Sequence, residues 1–207
     1  MSKLIDISRS YSPGSAVFPI DTPYTEEFVA RIGDGVPVNV SRITMSVHCG
    51  THADAPYHYD EQGAKIGALD LDVFVGPARV IDAQGAGPLC VPQDIAPFLN
   101  NCPPRVLLRL FAGQDSNIWN DNFRALAAET VQLLADRGVK LVGVDTSSVD
   151  PSTSKLLPAH MACRQNNIII LENLLLDHVE PGDYDLIALP LKFENLDASP
   201  VRAVLRR

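Results

Sequence analysis

The chain has 207 residues, of which 46% are hydrophobic and 20% charged, and its formal net charge is -8. These values fit one globular domain over residues 1–207, with enough apolar side chain for a packed core. An acidic balance with no Lys/Arg run beyond Arg206-Arg207 excludes a protein built to hold a phosphate backbone, and no stretch approaches the ~20 apolar residues of a membrane helix, so neither nucleic acid nor membrane is expected as a partner.

Taken in chain order, residues 4–7 read as a first short strand, followed by a turn at Ser12-Pro13-Gly14. The opening segment is interrupted by Asp6 and Arg9 and does not read as a secretory signal. Residues 36–45 are β-branched and partly alternating, which predicts a strand feeding the histidine-rich segment that follows. Residues 73–81 predict another strand, broken by Gly76-Pro77, and residues 105–110 a third. Within residues 121–137, Phe123, Leu126, Ala127, Thr130, Val131 and Leu134 recur at helical spacing, and Gly138 is a natural stop. Residues 140–144 follow as a buried strand ending at Asp145. A second helix is expected within residues 152–163, limited by Pro158. Residues 167–171 form an apolar strand ending at Glu172, and residues 184–191 give one more. Sixteen prolines and thirteen glycines favour short strands and loops. Helix, glycine and apolar strand in succession is an α/β signature, so the expected class is α/β with strands dominant. The four cysteines form no CxxC pair and read as reduced thiols, which makes cytoplasm the expected location.

Chemistry concentrates in one segment. Of five histidines, His48, His52 and His58 fall within eleven residues, with Asp54 among them. His52 and Asp54 are two apart, so on an extended backbone they point the same way. His48, four before His52, is compatible with the same strand face or with a loop wrapped around an ion. Imidazole nitrogens with carboxylate oxygens suit zinc or manganese, and two or more histidines favour zinc. Gly50 lets the backbone turn sharply or approach a ligand, and Pro56 stiffens the chain before His58. Cys49 offers a thiolate, but reads better as a small buried residue pointing away from its neighbours. Taken singly, His160 reads equally as a helix-surface residue. Glu172 reads equally as a solvated strand end, although strand ends often host ligands in open sheets. His178, in a polar turn, reads as surface. Asp145, Ser147 and Asp150 either orient ligand histidines from behind or cap the next helix.

The segment His48-Cys49-Gly50-Thr51-His52-Ala53-Asp54-Ala55-Pro56-Tyr57-His58 resembles the HxGTHxDxPxH signature of the metal-dependent cyclase family. Phe18-Pro19-Ile20-Asp21-Thr22-Pro23 resembles that family's aromatic-Pro-Gly-Asp-Thr-Pro entrance segment. Residues 142–151 with Ser154-Lys155 are similar to its GxDTxSxDP region. His160, residues 170–174 and residues 197–206 fall at further landmarks, so the resemblance spans nearly the whole chain. It implies a central, mostly β swivelling β/β/α-type core with a few flanking helices, and a homodimer. It implies two zinc ions per subunit, with manganese as the other metal. His48, His52 and Asp54 would hold one, Asp54 would bridge to a second also held by His160, and Glu172 would sit on or between both. His58 would be the general acid/base rather than a ligand. The implied activity is that of an arylformamidase, hydrolysing N-formyl-L-kynurenine to L-kynurenine and formate in tryptophan breakdown. Phe18 stands where the family often has Trp, and Ile20 where it usually has Gly. Phe18 still offers a flat apolar face to an aniline ring, with plain core packing as its other reading. Two further functions compete: hydrolysis of a cyclic amide or imide such as isatin at the same site, and a non-catalytic, metal-stabilised binding protein. A closed metal site with every position filled by protein would mark the latter.

Overall fold

Short apolar runs bounded by Gly and Pro become strands, and their alternation sets the layers. The computed structural model describes residues 3–33, 35–111 and 118–207. The strands in chain order are β1 (Leu4–Asp6), β2 (Thr25–Ala30), β3 (Val40–Thr44), β4 (His52–Asp54), β5 (Val75–Asp82), β6 (Leu89–Cys90), β7 (Arg105–Arg109), β8 (Ala125–Leu126), β9 (Leu141–Val144), β10 (Ile169–Glu172), β11 (Gly182–Ile187), β12 (Ala198–Pro200) and β13 (Val204–Arg206). The helices are α1 (Pro92–Ile95), α2 (Ala128–Asp136) and α3 (Pro158–Asn166). Nine strands form one sheet in the order β1-β13-β11-β5-β7-β9-β10-β4-β12. Its centre, β5-β7-β9-β10, is parallel, and the flanking pairs are antiparallel.

Side chains on the central strands alternate between two cores, as a period of two requires. Leu107, Leu141 and Leu171 enter one core, which also takes Leu205 near one end of the sheet and Ala53 near the other, so the sheet curls around it. Val106, Leu108, Val142, Val144 and Ile170 enter the second core. There they meet Val131 and Leu134 of α2 and Ala159 and Cys163 of α3. Each fully buried Leu or Val stabilises the fold by roughly 1.5–3 kcal/mol relative to exposure. Gly143 belongs to this packing, since a Cβ there would sit 2.6 Å from Leu107 Cδ2 and 2.7 Å from Leu174 Cδ1. The result is the expected α/β architecture, mostly β with few helices.

Four local expectations change. Strand β5 is not broken at Gly76-Pro77. Pro77 pairs with Asp185 of β11, and pairing to β7 begins only at Arg79, so the other side of the strand is still an edge where Pro lacks its N–H. The helix expected within residues 121–137 lies there but starts only at Ala128, after Phe123 and Leu126. Before it, the buried Arg124 donates to the carbonyls of Ala83 and Leu89 and to Asp94, pinning an extended segment that becomes β8. Pro158 starts α3 rather than limiting it, because at the first helical position its missing N–H is not needed. Finally, the strand expected at residues 36–45 is the shorter β3, which pairs with β2 in a separate hairpin and is exposed throughout.

Candidate metal and catalytic site

The site is built by register. His52 lies opposite Glu172, and Asp54 opposite Ile170, in the β4–β10 pairing. Between them Ala53 pairs with Leu171, and both enter the first core. His52, Asp54 and Glu172 therefore share the opposite face, at the carboxyl end of β10, and α3 carries the buried His160 across it. His52 Nε2 lies 3.4 Å from Asp54 Oδ1 and 3.5 Å from Glu172 Oε2. His160 Nε2 lies 3.6 Å from Asp54 Oδ2 and 3.8 Å from Glu172 Oε1. His48 Nδ1 lies 3.1 Å from Asp54 Oδ1. All five residues expected around a metal come together.

Neighbours fix which nitrogen each ring offers. His52 Nδ1 lies 2.8 Å from the Gly50 carbonyl, which can only accept, so Nδ1 carries the hydrogen and Nε2 faces the cluster. His160 Nδ1 lies 2.7 Å from Asp150 Oδ2, leaving its Nε2 inward. Asp150 also accepts the N–H groups of Ala159 and His160, so it both caps α3 and orients a cluster histidine. The loop before β4 is held as firmly. Thr51 Oγ1 donates to the Asn173 carbonyl at 2.6 Å and accepts the Arg9 N–H at 2.8 Å. Gly50 has φ of 64°, and a Cβ would lie 2.6 Å from the Tyr11 ring, so only glycine fits.

The electrostatics call for positive charge. Burial alone would depress the His52 ring, but Asp54 and Glu172 outweigh it and hold its pKa at about 10. His160 is likewise opposed by burial and raised to about 10 by Asp150 and Asp54. His48 is opposed by burial and raised to about 9 by Asp197 and Asp54. Burial pushes Asp54 up, yet His160, His48 and His52 hold it well below the usual carboxylate range. Even so, among the described residues His52 Nε2 and both carboxylate oxygens of Asp54 are buried with no hydrogen-bond partner. Buried polar atoms are nearly always paired, and such a set aimed at one centre fits a divalent cation that displaces ring protons as it binds. The nitrogen and oxygen donors suit a transition metal such as zinc.

Above the cluster opens a cavity of about 470 Å³, lined by His48, His52, His58, His160 and Glu172 and by the apolar Phe18, Ile20, Trp119, Phe123 and Leu157. That volume suits one small aromatic molecule. His58 stands exposed on a single turn, Pro56–His58, its ring 4.2 Å from that of His48 and 5.9 Å from that of His160. Phe18 is 43% exposed, so the core-packing reading does not apply. It meets Trp119 edge-on at 5.5 Å, forming one wall. Cys49 is buried and His178 exposed, as expected. Asp145 accepts the N–H groups of Leu110 and Phe111 and contacts none of the cluster histidines. Two residues escape the sequence reading. Trp119 had one signal, as the only tryptophan in the chain. Asp197, whose Oδ2 reaches both His48 and His58, had none beyond opening a family landmark segment.

Fold and site together fit a metal-binding α/β protein with a cavity for a small molecule. The chain belongs to the Cyclase family, whose model ("Putative cyclase") matches residues 5–151. It is 53% identical over 204 residues to the kynurenine formamidase of Delftia acidovorans, covering 99% of this chain and 97% of that protein. A solved structure from Bacillus stearothermophilus, named a predicted metal-dependent hydrolase, aligns with TM-score 0.85 at 28% identity, over 100% of this chain and 98% of that one. Isatin hydrolase A of Ralstonia solanacearum aligns with TM-score 0.83 at 24% identity, over 99% and 92%. At that identity the last likeness speaks for the fold alone.

Proposed function

We propose that this chain is an arylformamidase that hydrolyses N-formyl-L-kynurenine to L-kynurenine and formate. One observation carries the reading: buried nitrogen and carboxylate donors lie beneath an aromatic-walled cavity, in a chain 53% identical to a kynurenine formamidase. In this proposal two zinc ions, or manganese in their place, are held by the cluster. His48, His52 and Asp54 would hold one, Asp54 and His160 would hold the other, and Glu172 would serve both. Divalent ions bound there supply Lewis-acid polarisation of the formyl carbonyl and an acidified water.

The chain's own groups do the rest. Phe18 and Trp119 offer apolar faces to the aniline ring. Imidazole can carry a proton either way. His58 takes one from the water that adds to the formyl carbon, then returns it to the aniline nitrogen as the C–N bond breaks. The water oxygen leaves in formate. The test follows kynurenine release by zinc-loaded and chelated protein, with isatin assayed in parallel. Kynurenine should form, stop on chelation and return with zinc. Ring-opening of isatin without kynurenine formation moves the reading to a cyclic imide, and turnover of neither, with metal bound, moves it to a binding protein.

A homodimer and a cytoplasmic location complete the proposal. Exposed Phe28, Val29, Val40 and Ile43 on the β2–β3 hairpin support a subunit contact. Sedimentation as a monomer at micromolar concentration would remove the dimer. The four cysteines are free thiols, which supports a reducing compartment. Among the described residues no helix is long and apolar enough to cross a membrane. Recovery in a periplasmic or membrane fraction would remove the cytoplasmic location.

A further inference from the structure

Asp197 touches both histidines to which the proposed mechanism gives different roles. Its Oδ2 lies 2.9 Å from His48 Nε2 and 3.1 Å from His58 Nδ1. An ionised carboxylate accepts and cannot donate, so each of those nitrogens carries a hydrogen. In the neutral rings this leaves a lone pair on His48 Nδ1, the atom 3.1 Å from Asp54 Oδ1, and another on His58 Nε2. One oxygen therefore sets which nitrogen faces the metal cluster in one ring and which is free to carry a proton in the other. Without a fixed acceptor, a neutral imidazole exchanges its hydrogen between its two nitrogens.

The placement of Asp197 is rigid. Its carbonyl accepts the Ala55 N–H at 2.8 Å, and the next residue, Ala198, pairs with Asp54 in the β12–β4 ladder. The sheet that positions the metal cluster therefore positions Asp197 as well. Its side chain is 35% exposed, so shortening it opens no sealed cavity.

We propose that Asp197 is a positioning residue, which fixes the tautomer of His58. The proton-carrying role of His58 rests on the function proposed above, whereas the tautomer does not. The decisive readout is therefore long-range 1H–15N NMR of the His58 ring in zinc-loaded protein. Unchanged protein, Asp197→Ala and Asp197→Asn are compared, together with zinc content, kcat and KM. The unchanged protein should show His58 with hydrogen on Nδ1 alone, and Asp197→Ala should show a mixture or Nε2–H. In that variant kcat should fall roughly ten- to hundredfold with zinc retained and KM within about threefold, the usual effect of losing a residue that orients a functional ring. Asp197→Asn, which keeps an acceptor oxygen, should fall between the two. A His58 tautomer unchanged by Asp197→Ala overturns the proposal. So does loss of zinc in proportion to the loss of rate, which would make Asp197 a metal-retaining residue only. Failure of the unchanged protein to release kynurenine would count against the function, while the tautomer measurement would still decide the role of Asp197.

Discussion

Alanine at His58 is expected to lower hydrolysis of N-formyl-L-kynurenine by roughly 10²–10⁴-fold while zinc content stays near that of the unchanged protein. That loss corresponds to about 2.7–5.5 kcal/mol of barrier. The separation of rate from metal content follows from where the ring sits. His52, Asp54, His160 and Glu172 are buried, and His52 and Asp54 carry buried atoms with no hydrogen-bond partner among the described residues. His58 is exposed at the cavity wall, with one nitrogen already engaged by Asp197. Removing it takes away a proton carrier and little packing, so thermal stability should change little. Metal analysis beside kcat/KM on one preparation decides the matter. Zinc disappearing along with activity would make His58 a ligand, and the division of labour between it and the cluster would fall.

What the sequence made legible, and what it did not, divides along one physical line. Patterns within a segment carried their information locally. The two-residue spacing of His52 and Asp54 placed both on one face, and the apolar runs of β7, β9 and β10 became the buried parallel centre. Gly138, at φ of 78°, ends α2 as expected. Features that depend on partners far along the chain were invisible. Pro77 reads as a strand breaker until pairing to β7 is known to begin only at Arg79. The spacing of Phe123 and Leu126 reads as helical until Arg124 is seen pinning that stretch. His160 and Glu172, single residues with no spacing signal, came from family resemblance rather than from pattern, and the structure brings both to the cluster. Asp197 is the clearest case. Its two contacts cross 149 and 139 residues of chain, and no motif within its own segment announces them.

The largest effect should come from Asp54, where substitution by Asn is expected to remove both zinc ions together and bring hydrolysis to background. Asp54 is fully buried, and its two oxygens face different rings: Oδ1 faces His48 and His52, and Oδ2 faces His160. Asparagine keeps the volume but removes the charge and turns one oxygen into a donor. A hydrogen would then point at ring nitrogens that must offer lone pairs to a cation. In metal-free protein the neighbouring rings can shed their protons, so the cost to stability should stay at about 1–3 kcal/mol, the range for one badly paired buried group. With metal the contrast grows. A ligand at 1,000 times its Kd stabilises the native state by about 4 kcal/mol, a gain the unchanged protein should show on zinc addition and the Asn variant should lack. Thermal unfolding with and without zinc, read beside the number of ions bound, therefore tests bridging directly. If both ions remained and still raised the unfolding temperature of Asp54→Asn, neither would depend on the Asp54 carboxylate and the bridging assignment would fall.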